Sequence, residues 1–173
     1  EAQRIPNVCD LQNMNWDAYR GKSLRINPDG SVPDDNPEIK GVRSHIFTYG
    51  HRNPQGLVFV GDDLYSCEQG PSSDDEINKL EAGGNYGWPH VAGFRDGQAY
   101  KYANYSAAPN CEDLHFDANV IPEGVPTQHE LEWFATDFKP PVKTFYTVRD
   151  DHNFSDTRCG DGNEAYLCWP TIA

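Results

Sequence analysis

Leu57-Val58-Phe59-Val60-Gly61-Asp62-Asp63-Leu64-Tyr65-Ser66-Cys67 is two short runs of apolar and aromatic residues joined by a Gly-Asp-Asp turn. Runs of this length, bounded by turn formers, predict a strand-turn-strand unit. The pattern continues outward in both directions. Upstream lie Ser23-Leu24-Arg25-Ile26 and His45-Ile46-Phe47-Thr48-Tyr49, and downstream lies Thr144-Phe145-Tyr146-Thr147-Val148. Between them fall Asn27-Pro28-Asp29-Gly30, Asn53-Pro54, Gly83-Gly84-Asn85, Asp96-Gly97 and Lys139-Pro140-Pro141. Many short strands separated by Gly- and Pro-rich turns predict an all-β protein. Helical periodicity is weak, with its best candidate over Asp10 to Arg20 and one further turn near Gln128 to Phe134.

The chain has 173 residues, with 27 acidic against 14 basic side chains and a formal net charge of -13. Binding to phosphate backbones requires basic surface that displaces counterions. An acid excess of this size therefore argues against nucleic acid and against anionic membrane surfaces. The apolar runs are only a few residues long, against the ~20 a membrane helix needs, so membrane insertion through a helix is excluded. Aromatic residues make up 12% of the chain, more than a disordered segment carries. The five cysteines include no CxxC pair, so zinc and thioredoxin-like spacings are absent. Cys159 and Cys168 are close enough in sequence for a local disulfide, which would imply an oxidising compartment. The absence of an initiator Met and of a leader fits a mature or trimmed product.

Two polar stretches carry most of the chemical potential. Glu68-Gln69-Gly70-Pro71-Ser72-Ser73-Asp74-Asp75-Glu76 follows a strand-like run. Its Gly-Pro turn exposes carbonyls and its three acids supply carboxylates, the oxygen mixture that Ca²⁺ takes. The plainer reading is a solvated acidic turn. Gly50-His51-Arg52-Asn53-Pro54-Gln55-Gly56 places a guanidinium, an imidazole and two amides between strands. Arg presents a planar fork of donors suited to carboxylates, and the plainer reading is a loop that holds its own backbone. Gly83 to Pro89 adds Tyr86 and Trp88, able to pack a sheet corner or wall a flat ligand. No P-loop, HExxH or GxSxG motif occurs.

Six segments then occur in collinear order: GKSLRINPDGSVPDDNP (21–37), GVRSHIFTYGHRNPQGLVF (41–59), SCEQGPSSDDEIN (66–78), GGNYGWPHVAGF (83–94), YANYSAA (102–108) and AYLCWPT (165–171). In them the chain resembles the soluble quinoprotein glucose dehydrogenases of the glucose/sorbosone dehydrogenase family, over residues 20 to 173. The resemblance implies a six-bladed β-propeller. At ~40–50 residues per blade this chain covers about three blades over 21–173, preceded by an N-terminal segment over 1–20. It also implies oxidation of aldose sugars to lactones with pyrroloquinoline quinone (PQQ) and Ca²⁺, in the periplasm or outside the cell. A small aldose is the implied substrate, and a homodimer is compatible with the family.

Residue by residue, the resemblance assigns Arg52 a catalytic role as well as cofactor contact. Asn53, Gln69, Asp75, Tyr166, Trp169 and Thr171 match further residues of the cofactor and sugar cleft. The carbonyls of Gly70 and Pro71 match ligands of a cofactor-bound Ca²⁺. Glu76, Tyr86, Ala92, Phe94, Asp96 and Glu130 match a second, structural calcium site, in which Tyr86, Ala92 and Phe94 contribute main-chain carbonyls. Phe94 stands where Tyr is expected, a change a carbonyl ligand tolerates. Cys159 and Cys168 match the family's local disulfide, with a longer loop between them. The family's general-base His belongs to a blade N-terminal to this stretch, and His45 and His51 lie in other motifs. The chain is therefore expected to be a central fragment, inactive by itself. The alternatives are a non-catalytic calcium-dependent sugar-binding or interaction module, and a disulfide-stabilised adhesion domain.

Overall fold

The computed structural model describes residues 7–71, 73–98, 100–109 and 120–152, with the backbone of two short strands at 158–159 and 166–167. Trp169, Thr171 and Cys168 lie outside the described residues, as do the side chains of Tyr166 and Cys159. The expected disulfide and the C-terminal part of the expected cleft therefore lie outside them too.

Strands prevail, as the short runs predict. They are β1 (Lys22–Leu24), β2 (Glu38–Ile39), β3 (Val42–Arg43), β4 (Ile46–Tyr49), β5 (Pro54–Val60), β6 (Asp63–Glu68), β7 (Asp75–Lys79), β8 (Lys101–Ala103), β9 (Thr127–His129), β10 (Lys143–Phe145), β11 (Arg158–Cys159) and β12 (Tyr166–Leu167). The largest sheet is four-stranded and antiparallel, in the order β10-β7-β6-β5. β1 pairs with β4, β2 with β3, β8 with β9 and β11 with β12.

The expected helix over Asp10 to Arg20 is two separate pieces. An α-helix α1 spans Val8–Gln12 and a 3-10 turn spans Trp16–Tyr19. Asn side chains divide them, because an amide competes for nearby backbone groups. Asn7 Oδ1 accepts from Asp10 N at 2.9 Å while Asp10 Oδ2 accepts from Asn7 N at 3.1 Å, closing a capping box. Asn15 Oδ1 accepts from Asp17 N at 3.1 Å and starts the second piece afresh. The turn expected near 128–134 is a single 3-10 turn, Glu130–Glu132.

Leu11, Tyr19, Ile39, Ile46 and Tyr49 form one buried cluster, with Val42 packed against it. Ile46 is completely buried there. Ile46→Val, which removes one methylene, is expected to cost about 0.5–1.5 kcal/mol in a urea titration. A change below that range would show that the cluster collapses onto the gap.

The four-stranded sheet differs in its two faces. Ser66 and Glu68 on β6, and Glu76 and Asn78 on β7, all turn into the protein and are buried. In register, Glu68 stands opposite Glu76 and Ser66 opposite Asn78. β5 forms an edge of the sheet and carries four consecutive exposed apolar side chains, Leu57 to Val60, with Phe59 at 69% exposure.

The Gly83–Pro89 segment is clamped between two others. Tyr86 N donates to Tyr49 O at 2.8 Å and Lys139 N donates to Asn85 O at 2.8 Å. Parallel bridges link Tyr49, Asn85 and Phe138, and the Tyr49 hydroxyl donates to the Asp137 carboxylate. Gly50 has φ +78°, and an added Cβ there would meet Asn85 Oδ1 at 2.4 Å and Gly87 N at 2.8 Å. Only glycine lets β4 pass this close to the clamped segment. The chain then enters the Arg52 loop.

Candidate functional site

β4 ends at Tyr49 and β5 begins at Pro54, so residues 50–53 form a loop at the end of the large sheet. Directly across from it, β6 ends at Glu68 and the chain turns through Gln69, Gly70 and Pro71 before β7. The two loops are laced together. Gln69 N donates to Asn53 O at 3.1 Å, and Asn53 Nδ2 donates to Gln69 Oε1 at 3.2 Å. Arg52 Nη1 donates to Gln69 O at 3.0 Å. Asp75 Oδ1 accepts from Gly70 N at 2.9 Å, which folds the turn back on itself. A Cβ on Gly70 would fall 1.8 Å from Ser73 O, so this turn demands glycine.

Arg52 is half-buried and lies 5.5 Å from the centroid of the Trp88 ring, a cation–π arrangement. Burial lowers its pKa, a pull that Tyr100, Glu68 and Asp75 oppose. Arg52, Gln69, Gly70, Pro71 and Trp88 share one small cleft. The structure thus brings Arg52, Asn53, Gln69, Gly70, Pro71 and Asp75 together, drawn from two loops that sequence alone leaves separate.

Asp74, Asp75 and Glu76 are not a solvated turn. All three are buried, and Asp75 and Glu76 open β7, paired to Phe145 and Thr144 of β10. Glu76 is paired on both sides, to Glu68 of β6 and Thr144 of β10. Asp74 has φ +57° and its Oδ1 accepts from Thr147 Oγ1 at 2.5 Å. Burial pushes the Asp74 carboxyl up to about 6, against the Thr147 hydrogen bond.

Glu76 and Glu130 hold the loop 92–97 from two sides. Glu76 Oε1 accepts from Gly93 N at 2.6 Å, and Glu130 accepts from Ala92 N and Gly97 N, each at 3.0 Å. Glu130 is 0% exposed. Burial pushes it up to about 7, against the two amides. Burial and then the facing Glu68 carboxylate raise Glu76 well above its usual range. Asp96 is exposed and accepts from Gln98 N at 2.8 Å, and Phe94 O accepts from Asp96 N at 2.7 Å. Tyr86 is buried, its hydroxyl donating to Lys79 O and accepting from Glu81 N. Of the expected second calcium set, Glu76 and Glu130 thus meet at the loop that carries Ala92, Phe94 and Asp96, while the Tyr86 side chain is held by Lys79 and Glu81. Among the described residues, no three His, Cys, Asp or Glu side chains are arranged to hold a metal ion. The chemistry still suits a hard cation: among the described residues the buried Glu76 and Glu130 carboxylates form no ion pair with Lys, Arg or His, and they sit beside the backbone of the 92–97 loop.

Sequence reasoning missed a buried polar network beneath Arg52. Thr48 Oγ1 lies 2.7 Å from His51 Nε2, and His51 Nδ1 lies 3.0 Å from Glu68 Oε1. Arg52 N donates to Glu68 Oε2 at 2.9 Å. Asn78 Nδ2 donates both to Glu68 Oε1 at 2.7 Å and to Glu76 Oε2 at 2.8 Å. His51 also stacks on Tyr86 with centroids 4.7 Å apart. Burial would raise Glu68, but the hydrogen bond and charge of His51, then the Arg52 and Asn53 amides, hold it below its usual range. The available signal was alternation: Ser66 and Glu68, like Glu76 and Asn78, are two apart and so share a face of a strand.

The profile of the Glucose / Sorbosone dehydrogenase family matches residues 8–124. Quinoprotein glucose dehydrogenase B of Acinetobacter calcoaceticus is 51% identical over 176 residues, covering 100% of this chain and 36% of that protein. Aldose sugar dehydrogenase YliI of Escherichia coli (strain K12) is 47% identical over 93 residues, covering 51% of this chain and 24% of that protein. The PQQ-bound aldose sugar dehydrogenase of Streptomyces coelicolor, a solved structure, is 26% identical, covers 77% of this chain and 28% of that one, and superposes with a TM-score of 0.47. The chain thus spans about a third or less of the length of the curated relatives it matches.

Proposed function

The chain belongs to the glucose/sorbosone dehydrogenase family, and from that premise we propose that it forms one wall of the site of a PQQ- and calcium-dependent aldose dehydrogenase. The observation that carries this reading is the lacing of Arg52, Asn53 and Gln69 beside the Gly70-Pro71 turn. A planar cation, two amides and the Trp88 ring suit a flat, carboxylate-bearing quinone. When bound, the quinone supplies the acceptor for the hydride from the sugar C1, and a Ca²⁺ supplies Lewis acidity beside it.

The chain's own residues then do the following. Arg52 would donate toward the oxygens of the bound cofactor, where a fixed guanidinium stabilises negative charge. Asn53, Gln69 and Asp75 fix the edge of the cleft, and the family resemblance assigns Tyr166, Trp169 and Thr171 to its sugar side. Gly70 and Pro71 would hold the catalytic Ca²⁺ through their carbonyls. Glu76, Asp96 and Glu130 would hold a structural one, with the carbonyls of Tyr86, Ala92 and Phe94. A base must also take the sugar hydroxyl proton. His51 is committed to Thr48 and Glu68, so we assign that role to a residue outside this stretch. In this reading the chain is about three blades of a six-bladed propeller that works in the periplasm or outside the cell, with a Cys159–Cys168 disulfide.

The test is titration of the chain with PQQ in millimolar calcium, read by tryptophan fluorescence and by glucose-dependent dye reduction. Quenching that saturates, without dye reduction, is the expected result. Absence of both, together with a calcium-dependent melting temperature, would favour a calcium-binding interaction module instead.

A further inference from the structure

Arg52 is only as useful as its backbone is fixed, and its loop is not part of any strand. A displacement of about 1 Å in a positioning group is enough to cost ~10²-fold in rate. Beneath the loop, Glu68 spends both oxygens inside the protein, on His51 and Asn78 through Oε1 and on Arg52 N through Oε2. His51 and Glu68 are 1% and 3% exposed. A carboxylate only accepts, so the network assigns the imidazole proton to Nδ1, with Nε2 facing Thr48 Oγ1. Asn78 donates through the same nitrogen to both glutamates, which joins the Arg52 support to Glu76.

We propose that Glu68 is a positioning residue: oriented by His51 and Asn78, its carboxylate anchors the Arg52 amide and so aims the guanidinium at the Gln69–Pro71 wall. The proposal rests on the reading of Arg52 as a cofactor contact, and its test separates the two. The buried charge is kept because His51 and Asn78 converge on one oxygen while the Arg52 amide, with the Asn53 amide beside it, faces the carboxylate from the other side, a pattern that a carboxylate satisfies and an amide does not.

Glu68→Gln is the discriminating variant. His51 and Asn78 both donate to Oε1, so the single oxygen of Gln goes there and its NH₂ faces the Arg52 N–H. Hydrogen exchange of the ¹⁵N-labelled chain is expected to show the Arg52 amide exchanging about tenfold faster or more, the equivalent of one lost hydrogen bond. The Ser66 and Asn78 amides should keep their protection. PQQ affinity is expected to fall about tenfold, yet to change less than about twofold when Glu68→Gln is added to Arg52→Ala, because the two act through one contact. His51→Asn keeps a donor near the Nδ1 position and should preserve Arg52 protection, whereas His51→Ala should lose it. This pair decides the matter by the same readout if Glu68→Gln does not fold.

Unchanged Arg52 exchange in Glu68→Gln, additive effects of Glu68→Gln and Arg52→Ala on PQQ binding, or equal exchange in the two His51 variants would each overturn the proposal. If the parent chain binds no PQQ, the cofactor reading fails. The amide exchange then still decides whether Glu68 anchors Arg52.

Discussion

Made in a full-length enzyme that contains this stretch, Arg52→Ala is expected to cut PQQ-dependent turnover by about 100- to 1,000-fold, the usual loss when one preorganised donor to developing charge is removed. The fold should suffer little. Arg52 contributes one side-chain hydrogen bond, to Gln69 O, and one cation–π contact, with Trp88. Together these amount to about 1–3 kcal/mol at most. Arg52→Lys keeps the charge but loses the planar fork, and should recover only part of the activity. The measurement is kcat and KM by dye reduction beside the thermal midpoint of each variant. Turnover within about threefold of the parent, with Arg52→Ala folded, would remove Arg52 from the chemistry.

The second large effect concerns calcium. At a concentration about 100 times its dissociation constant, a ligand that binds only the folded chain stabilises it by about 2.7 kcal/mol. For a chain of this size that is a rise of about 5–10 °C in the melting temperature. Glu76→Gln should abolish most of that rise, because a charged ligand is lost. In EDTA the variant and its parent should melt within about 3 °C of each other. The neutral amide escapes the cost of a buried charge facing Glu68, but it loses an acceptor for Gly93 N. An equal calcium response in both proteins would place the metal elsewhere. Absence of a response in the parent would dismiss the calcium assignment altogether.

Local chemistry was readable from the sequence, and pairing was not. The runs at 46–49, 57–60 and 64–67 announce their strands because each is short, apolar or β-branched, and closed by Gly, Asn, Asp or Pro. Burial of Asp74 to Glu76 could not be read that way. It depends on β10, about 70 residues downstream, pairing with β7. The same holds for Glu130, which reaches back 38 residues to Ala92. His51 and Glu68 are 17 residues apart, and each looks like an ordinary polar residue until two strand ends meet. Resemblance supplied the partners of Arg52 and Glu76. Propensity alone would have left Asp74 to Glu76 in solvent.

The exposed edge of β5 governs how this polypeptide behaves in a test tube. Leu57 to Val60 offer an open ladder beside greasy side chains, the template on which a further strand adds. Mutual repulsion opposes that addition, since the chain carries a formal charge of -13 and has a pI of about 4.7. Colloidal behaviour is thus set by acidity and ionic strength more than by thermal stability. Dilute, mildly alkaline, low-salt buffer is the natural medium for handling the chain, and acidified or salted stocks are expected to clump through this edge.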